Sequence, residues 1–416
     1  MYLQFIIFAS LFILVLDWYY YRSVKNFTIN YSPKIKNTIR VAYWLFTFLV
    51  IGFLIFMTTY FINKTALPKF ARTYMMGFIF MVVVSKIIGI VFLMLYDVQS
   101  LTLFIKKNII KKFYPKKIEK SIGRRSFLKK SVIIASAIPF GTLLFGIVNS
   151  AFDFTIRRQK LKLKNLPSAF KGLKIIQISD IHTGSFMTNT PLEEAVQLIN
   201  KEQPDVVFFT GDLVNDISEE ALPFIDTLKK INAPLGVFSI LGNHDYGDYF
   251  YQPDDVEGKQ HNLHLMKEIH EKLGWKLLNN KHHILEIDNQ RLAILGVENW
   301  GDGHRFPKYG NLEKAKQGCL AEDIKLLLSH DPSHWDAQIL KEHKDIAVTF
   351  SGHTHGMQFG IEIPGFKWSP SEYLYPQWAG LYKKNEQQIY VNRGLGFLGY
   401  PGRVGILPEI TVFELG

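Results

Sequence analysis

Hydrophobic and polar positions divide the chain into two unlike parts. Residues 41–62 and 131–152 are uncharged apolar runs, and residues 73–96 form a third, interrupted only by Lys86. At a rise of about 1.5 Å per residue, roughly 20 residues cross a hydrocarbon core about 30 Å thick, so each run is long enough to span a bilayer as a helix. A shorter apolar opening, 1–16, runs into the aromatic cluster Trp18–Tyr21, which suits a membrane interface and makes a fourth span. No Lys or Arg precedes it, which argues against a cleaved signal peptide. From about residue 155 the pattern changes. Leu161 and Leu163 alternate with Lys160, Lys162 and Lys164 as in a half-buried strand, and Leu166-Pro167 marks a turn. Short β-branched and aromatic runs follow at 174–178, 206–209, 237–240, 326–328 and 346–350, each reading as a buried strand. Helical patterns lie between several of them, such as 191–202 with Pro191 in its first turn. Alternating strands and helices predict a layered α/β domain.

Charge sharpens this division. The whole chain of 416 residues carries a formal +11, which by itself points to nucleic acid. Residues 1–152 hold 20 Lys and Arg against 3 Asp and Glu, leaving 28 basic and 34 acidic residues in the remainder. A nucleic-acid binder concentrates positive charge on its folded domain, and here that domain is slightly acidic, so no nucleic-acid partner is expected. The basic residues instead mark membrane topology. Loop 21–40 has five, loop 63–72 has three, and segment 105–130 has eleven with the single acid Glu119. Under the positive-inside rule segment 105–130 is cytoplasmic, so the last span leads outward. The expected organisation is a membrane region with three spans at 1–104, a basic cytoplasmic segment at 105–130, a signal-anchor helix at 131–152, and an extracytoplasmic domain at 153–416 on the inner membrane. Arg124-Arg125-Ser126-Phe127-Leu128-Lys129 resembles a twin-arginine export signal, which would bring in that export machinery; paired arginines also serve as plain positive-inside charge. Lys86, in mid-span, marks either a headgroup or ion path or a structural pairing between helices. The lone Cys319 can form neither an internal disulfide nor a cysteine metal cluster.

The candidate chemistry sits where the strands end. Ser179-Asp180-Ile181-His182, Thr210-Gly211-Asp212, Gly242-Asn243-His244-Asp245, Ser329-His330-Asp331 and Gly352-His353-Thr354-His355 each follow an apolar run, so they should converge along one sheet edge. Asp180, His182, Asp212, Asn243, His330, His353 and His355 are oxygen and nitrogen donors without a thiolate, a set that suits Mn, Fe or Zn. Seven donors exceed what one ion needs. Two ions sharing a carboxylate would use them all and would clamp an in-line displacement at phosphorus. Each motif alone is weak, because a lone strand-end histidine is more often a hydrogen-bonded rim residue; the ordered set is what points to chemistry.

These five blocks resemble the signature blocks of the calcineurin-like metallophosphoesterase superfamily. The strings Ser351-Gly352-His353-Thr354-His355-Gly356 and Asn392-Arg393-Gly394-Leu395-Gly396 with Pro408-Glu409-Ile410 resemble its membrane-attached bacterial phosphodiesterase branch. The match covers about residues 155–416, and the resemblance implies a four-layer αββα sandwich. It also implies that Asp180, His182 and His355 hold a first metal, that Asn243, His330 and His353 hold a second, and that Asp212 bridges them. His244 would then be the general acid, or a stabiliser of the phosphoryl charge. Many relatives carry an acid three residues after the bridging aspartate to orient that histidine, where this chain has Asn215; Asp216 or Asp245 could replace it. Among the other polar residues, His261 and His264 read as a solvated helix face and His282-His283 as a strand edge. His304 could reach substrate from a glycine-rich loop, and Arg393 and Arg403 read as structural rather than phosphate-binding. The function expected is a membrane-anchored dinuclear phosphoesterase acting on a phosphodiester, pyrophosphate or phosphomonoester, with a lipid-linked headgroup suggested by the membrane region. The rival is a phosphoesterase-like sensor that binds a phosphorylated ligand and signals through the helices.

Overall fold

The long apolar runs become helices: α1 (Tyr2–Phe27), α2 (Pro33–Asn63), α3 (Lys69–Phe113) and α4 (Ile122–Phe145). The computed structural model describes residues 2–63, 69–113, 122–303 and 308–416. It divides into two units, Met1–Phe145 and Gly146–Gly416. Among the described residues, four stretches are long and apolar enough to cross a membrane: Ile6–Phe27, Pro33–Thr58, Ala71–Ile105 and Ser131–Ser150. The first extends well beyond the 1–16 expected from hydropathy, and so takes in a charged residue, Asp17. The side chains of Arg124 and Arg125 fall outside the described residues, as does His304.

Asp17 is tolerated there because it is neutralised in place. Its carboxylate is fully buried; it sits 2.5 Å from Lys86 Nζ and accepts hydrogen bonds from the Tyr43 hydroxyl at 2.6 Å and the Thr47 hydroxyl at 2.9 Å. Three helices, α1, α2 and α3, are thus joined through one buried ion pair, which gives the mid-span Lys86 a structural partner. Truncating one member of such a pair leaves an uncompensated charge, at a cost of about 3–5 kcal/mol, whereas replacing both can be neutral. Lys86→Met is therefore expected to lower the melting temperature in detergent sharply, and Asp17→Asn combined with Lys86→Met to restore most of it.

The second unit opens with β1 (Thr155–Leu161) and β2 (Lys174–Ile178), followed by α5 (Thr190–Lys201), β3 (Val206–Phe209), α6 (Ile225–Leu228), β4 (Val237–Ser239), α7 (Val256–Leu273) and β5 (Lys276–Leu277). Then come β6 (Lys281–Ile287), β7 (Gln290–Gly296), α8 (Leu312–Lys316), β8 (Ile324–Leu328), α9 (Leu340–Glu342) and β9 (Ile346–Ser351). A small hairpin, β10 (Ile361–Ile363) and β11 (Phe366–Trp368), precedes β12 (Gly380–Lys384), β13 (Gln387–Val391) and β14 (Glu409–Leu415). Two six-stranded sheets result, ordered β1-β14-β2-β3-β4-β5 and β12-β13-β9-β8-β7-β6. Runs rich in Val, Ile, Leu and Phe form these strands because successive side chains alternate faces and both faces are covered. Val206 and Phe208 of β3 meet Leu326, Leu328, Val348 and Phe350 of the other sheet in one core. Val207 and Phe209 point the opposite way, onto Val196, Ile199, Met266 and Ile269 of α5 and α7. On the far side of the second sheet, Leu327 and Ile389 pack with Leu312 and Ala315 of α8. The layers are therefore helix, sheet, sheet, helix.

This layering corrects the expectation of a single sheet edge. The blocks after β2, β3 and β4 belong to the first sheet, and those after β8 and β9 to the second. Strands β2, β3 and β4 run parallel to one another, as do β8 and β9. With the sheets stacked face to face, the carboxyl ends of both reach one common rim.

Candidate metal centre

The rim is built on unusual backbone. Asp180, His182, Asp212, His353 and His355 all have φ between 48° and 72°, the left-handed region that side chains with a Cβ avoid. Such strain costs about 1–3 kcal/mol per residue and persists only where the surroundings over-determine it. Here main-chain hydrogen bonds between neighbouring strand ends do so: Asp180 N donates to Gly211 O at 2.9 Å, His182 N to Asp212 O at 3.1 Å, and Gly352 N to His330 O at 3.0 Å. Asp245 adds to the bracing. Its carboxylate accepts from the backbone N–H groups of Asp212, Leu213 and Gly242 at 2.8–3.0 Å, which ties the loop after β3 to the loop after β4.

All seven donor residues come together. Asp180, His182 and His355 offer one ligand atom each within 4.8 Å of one another, and Asp212, His330 and His353 do the same. Asp212 Oδ2 lies between the groups, 3.7 Å from His182 Nε2 and 3.1 Å from His330 Nε2. Asn243 Oδ1 is 2.8 Å from His353 Nδ1, which is 3.3 Å from His330 Nε2.

Whether these residues suit metal ions can be judged from the imidazole protons. His182 Nδ1 lies 3.0 Å from Val214 O, and His330 Nδ1 lies 2.7 Å from Thr210 O. A carbonyl only accepts, so each Nδ1 carries a proton, which leaves Nε2 as the nitrogen able to ligate once the ring is neutral. Both Nε2 atoms point into the cluster: His182 Nε2 is 3.0 Å from His355 Nε2, and His330 Nε2 is 3.1 Å from the Asp212 carboxylate. Buried imidazole nitrogens and carboxylates gathered this closely, with the outer nitrogens of His182 and His330 held by main-chain carbonyls, are what a cation site requires. The donor set fits two hard or borderline ions.

The electrostatics agree. Burial and the charge of Asp212 push Asp180 up to about 7, and Asp245 likewise to about 7. Burial pulls His182 down to about 3 and His355 well below its usual value. At His330 burial acts in the same downward sense, but the adjacent Asp212 outweighs it and holds the imidazole up at about 10. Since that folded value lies above the ordinary 6.5, protonated His330 contributes stability that is complete below about pH 6.5 and lost as pH rises toward about 10. The metal-free protein is therefore expected to melt at falling temperatures across that window. The metal-loaded protein should show a flatter curve, a comparison read by thermal melts with and without chelator.

His244 sits against this cluster. Its backbone N–H donates to Asp212 Oδ1 at 2.9 Å, and its Nδ1 donates to the main-chain carbonyl of Asn215 at 2.5 Å. The orienting acceptor is thus a backbone carbonyl, while the Asp245 carboxylate is committed to the loops. Tyr249 stacks on the His244 ring at 4.3 Å and receives a hydrogen bond from Asn243 Nδ2 at 2.8 Å. On the opposite side the Tyr375 hydroxyl lies 2.7 Å from His353 Nε2, with Asp331 at 3.7 Å from the same nitrogen. Sequence reasoning missed Tyr249 and Tyr375 because both lie in loops without periodic pattern; Asp331 was visible as the neighbour of His330 in its block.

The remaining polar candidates lie elsewhere. His261 and His264 are exposed on α7, with His264 paired to Glu268. His282 and His283 are on β6, the edge strand of the second sheet. Arg393 and Arg403 are buried: Arg393 bridges Glu409 and Glu362, and Arg403 caps the carbonyls of Arg393, Gly394 and Gly396 and touches His355 Nδ1 at 3.3 Å.

Known proteins resemble this chain in sequence. A family model described as "Probable Calcineurin-like phosphoesterase, transmembrane domain" matches residues 3–151, and one described as "Calcineurin-like phosphoesterase" matches residues 173–357. The Bacillus subtilis metallophosphoesterase YkuE is 30% identical over 311 residues, 71% of this chain and 98% of its own length. A zebrafish (Danio rerio) transmembrane protein with metallophosphoesterase domain is 30% identical over 70% of this chain, which spans 64% of that relative. The UDP-2,3-diacylglucosamine pyrophosphatase LpxG of Chlamydia muridarum is 29% identical over 56% of this chain and 81% of its own length. With its four membrane-length helices, its two stacked mixed sheets and its paired donor clusters, the chain belongs to the calcineurin-like metallophosphoesterase family, in a form that carries an N-terminal transmembrane domain.

Proposed function

We propose that the chain is a membrane-anchored phosphoesterase that uses two divalent ions to hydrolyse a phosphodiester, pyrophosphate or phosphomonoester. Asp180, His182 and His355 would hold one ion, Asn243, His330 and His353 the other, and Asp212 would serve both. The observation that carries this reading is the convergence of two buried groups of ligand atoms, Asp180, His182 and His355 and Asp212, His330 and His353, with the Asp212 carboxylate facing both. When bound, the ions would supply Lewis acidity and lower the pKa of water for in-line attack at phosphorus. The protein's own contribution is positional. Strained strand ends aim the donors, Tyr375 and Asp331 hold the His353 ring in one orientation, and the Asn215 carbonyl holds His244. With Nδ1 engaged, His244 has only its Nε2 edge left to pass a proton to the leaving oxygen, the role of a general acid. Manganese, iron and zinc all suit such donors.

The substrate class favoured is a lipid-linked phosphate ester, since the same chain carries the membrane helices and LpxG is named for a diacylated sugar nucleotide. Basic segment 105–130 supports a cytoplasmic placement for itself and an extracytoplasmic one for residues 153–416 on the inner membrane, with export of the folded domain by the twin-arginine machinery. The deciding experiment is hydrolysis of bis(p-nitrophenyl) phosphate by the purified full chain in detergent. Turnover with Mn²⁺ that stops on chelation is expected; no turnover with Mn²⁺, Fe²⁺ or Zn²⁺ would overturn the enzymatic reading. A reporter fused after Gly416 tests the topology separately.

A further inference from the structure

The hairpin β10–β11 is amphipathic in an unusual sense. On its inward face Glu362 is held by Arg157 at 2.7 Å and Arg393 at 2.8 Å. Period-two alternation then turns Ile361 and Ile363 the other way, together with their cross-strand partners Trp368 and Phe366. Ile361, Ile363 and Phe366 are 50%, 58% and 53% exposed, and the turn that follows adds Tyr373 and Leu374 at 74% and 67%. Scattered apolar side chains on a surface need no explanation, but a contiguous cluster marks an interaction site.

The neighbours of this hairpin say what it meets. The strand leading into β10 is bridged to Val404 and Gly405 through Phe359, and Phe359 lies 5.0 Å from the Tyr400 ring. The same 400–404 segment grips Gly146–Ser150, the end of the last membrane-length stretch Ser131–Ser150: Arg403 N donates to Gly146 O at 3.2 Å. A Cβ on Gly402 would lie 2.7 Å from the Gly146 main chain, so the approach is backbone to backbone. The chain beyond the stretch is not a loose tether either, because Phe152 stacks on Phe186 at 4.9 Å and packs on Phe397. The loop that carries the hairpin is therefore fastened to the end of the last membrane-length stretch.

We infer that the apolar face of β10–β11, with Tyr373 and Leu374, inserts into the lipid interface as a second membrane contact of the phosphoesterase domain. Exposed Phe366 and Tyr373 and half-buried Trp368, beside Ile and Leu, form the composition that interfaces favour. The hairpin is inserted between His355 and Tyr375, both part of the candidate metal centre, so this contact would hold the mouth of that centre at headgroup depth. The inference rests on the membrane anchoring proposed above but not on the metal chemistry.

The test uses the full chain with Cys319→Ser, a single Phe366→Cys label carrying the polarity-sensitive fluorophore NBD, and vesicles of phosphatidylcholine and phosphatidylglycerol. Leu320→Cys, exposed ahead of β8 at the other end of the strands, is the control site. Blue-shifted emission at position 366, with about twofold quenching when doxyl-labelled phosphatidylcholine is included, is expected, and neither change at position 320. Equal behaviour at the two sites overturns the inference. So does a blue shift at 366 without doxyl quenching, since the face would then be covered by protein. Chelation should leave the quenching unchanged, which separates failure of this contact from failure of the proposed hydrolysis.

Discussion

Asp212→Asn is expected to lower kcat/KM for bis(p-nitrophenyl) phosphate by about three orders of magnitude while leaving the fold intact. Asparagine has nearly the same shape, and its Oδ1 can still accept from His244 N, the bond that Asp212 makes at 2.9 Å. What changes is the charge between the two donor clusters. The carboxylate faces His182 on one side and His330 on the other, so one substitution weakens both proposed sites. Metal analysis of the purified variant should show fewer than two ions per chain. The variant also tests the electrostatics: without the carboxylate, His330 loses the partner that holds it at about 10, and the high-pH fall in stability of the metal-free form should shrink. Full activity in Asp212→Asn would refute the bridging role.

A single methyl group should do comparable damage from the backbone side. A Cβ at position 352 would lie 1.9 Å from Ser179 Oγ and 2.1 Å from Asp180 Oδ2. No described side chain can give way there cheaply, because Asp180 is fully buried and its carboxylate accepts from His353 N through both oxygens at 3.0 Å. Gly352→Ala is thus expected to displace the Asp180 carboxylate, cost about 1–3 kcal/mol of stability, and cut turnover about a hundredfold or more through misplacement of one donor. Circular dichroism melts and steady-state kinetics on the same preparation separate the two effects. Gly303→Ala, where an added Cβ meets nothing within 4 Å and the backbone is not in the left-handed region, is the control for a glycine substitution.

Much of this was readable along the chain. Apolar length located the membrane helices, because the thickness of a bilayer sets a minimum run that few other structures need. The first span runs past the apolar opening 1–16, and only Lys86, Tyr43 and Thr47 from two other helices make the Asp17 carboxylate acceptable inside it. The strand-end position of the donors was also legible, since each polar block follows a short buried run. That the blocks serve two sheets rather than one was not, because sheet membership is decided by hydrogen bonds between segments far apart in sequence.

The amino-acid order by itself determined which residues could donate to a metal, that each would stand at the end of a strand, and that the domain would be tied to a membrane. These are properties of composition and local period, which need no partner segment. Tertiary structure decided the rest. It put Asp212 between two histidine groups, gave His244 a main-chain carbonyl as its acceptor, brought Tyr249 and Tyr375 in from unpatterned loops, and turned one face of β10–β11 outward. Each of these depends on distances between parts of the chain that only close packing of the two sheets brings together.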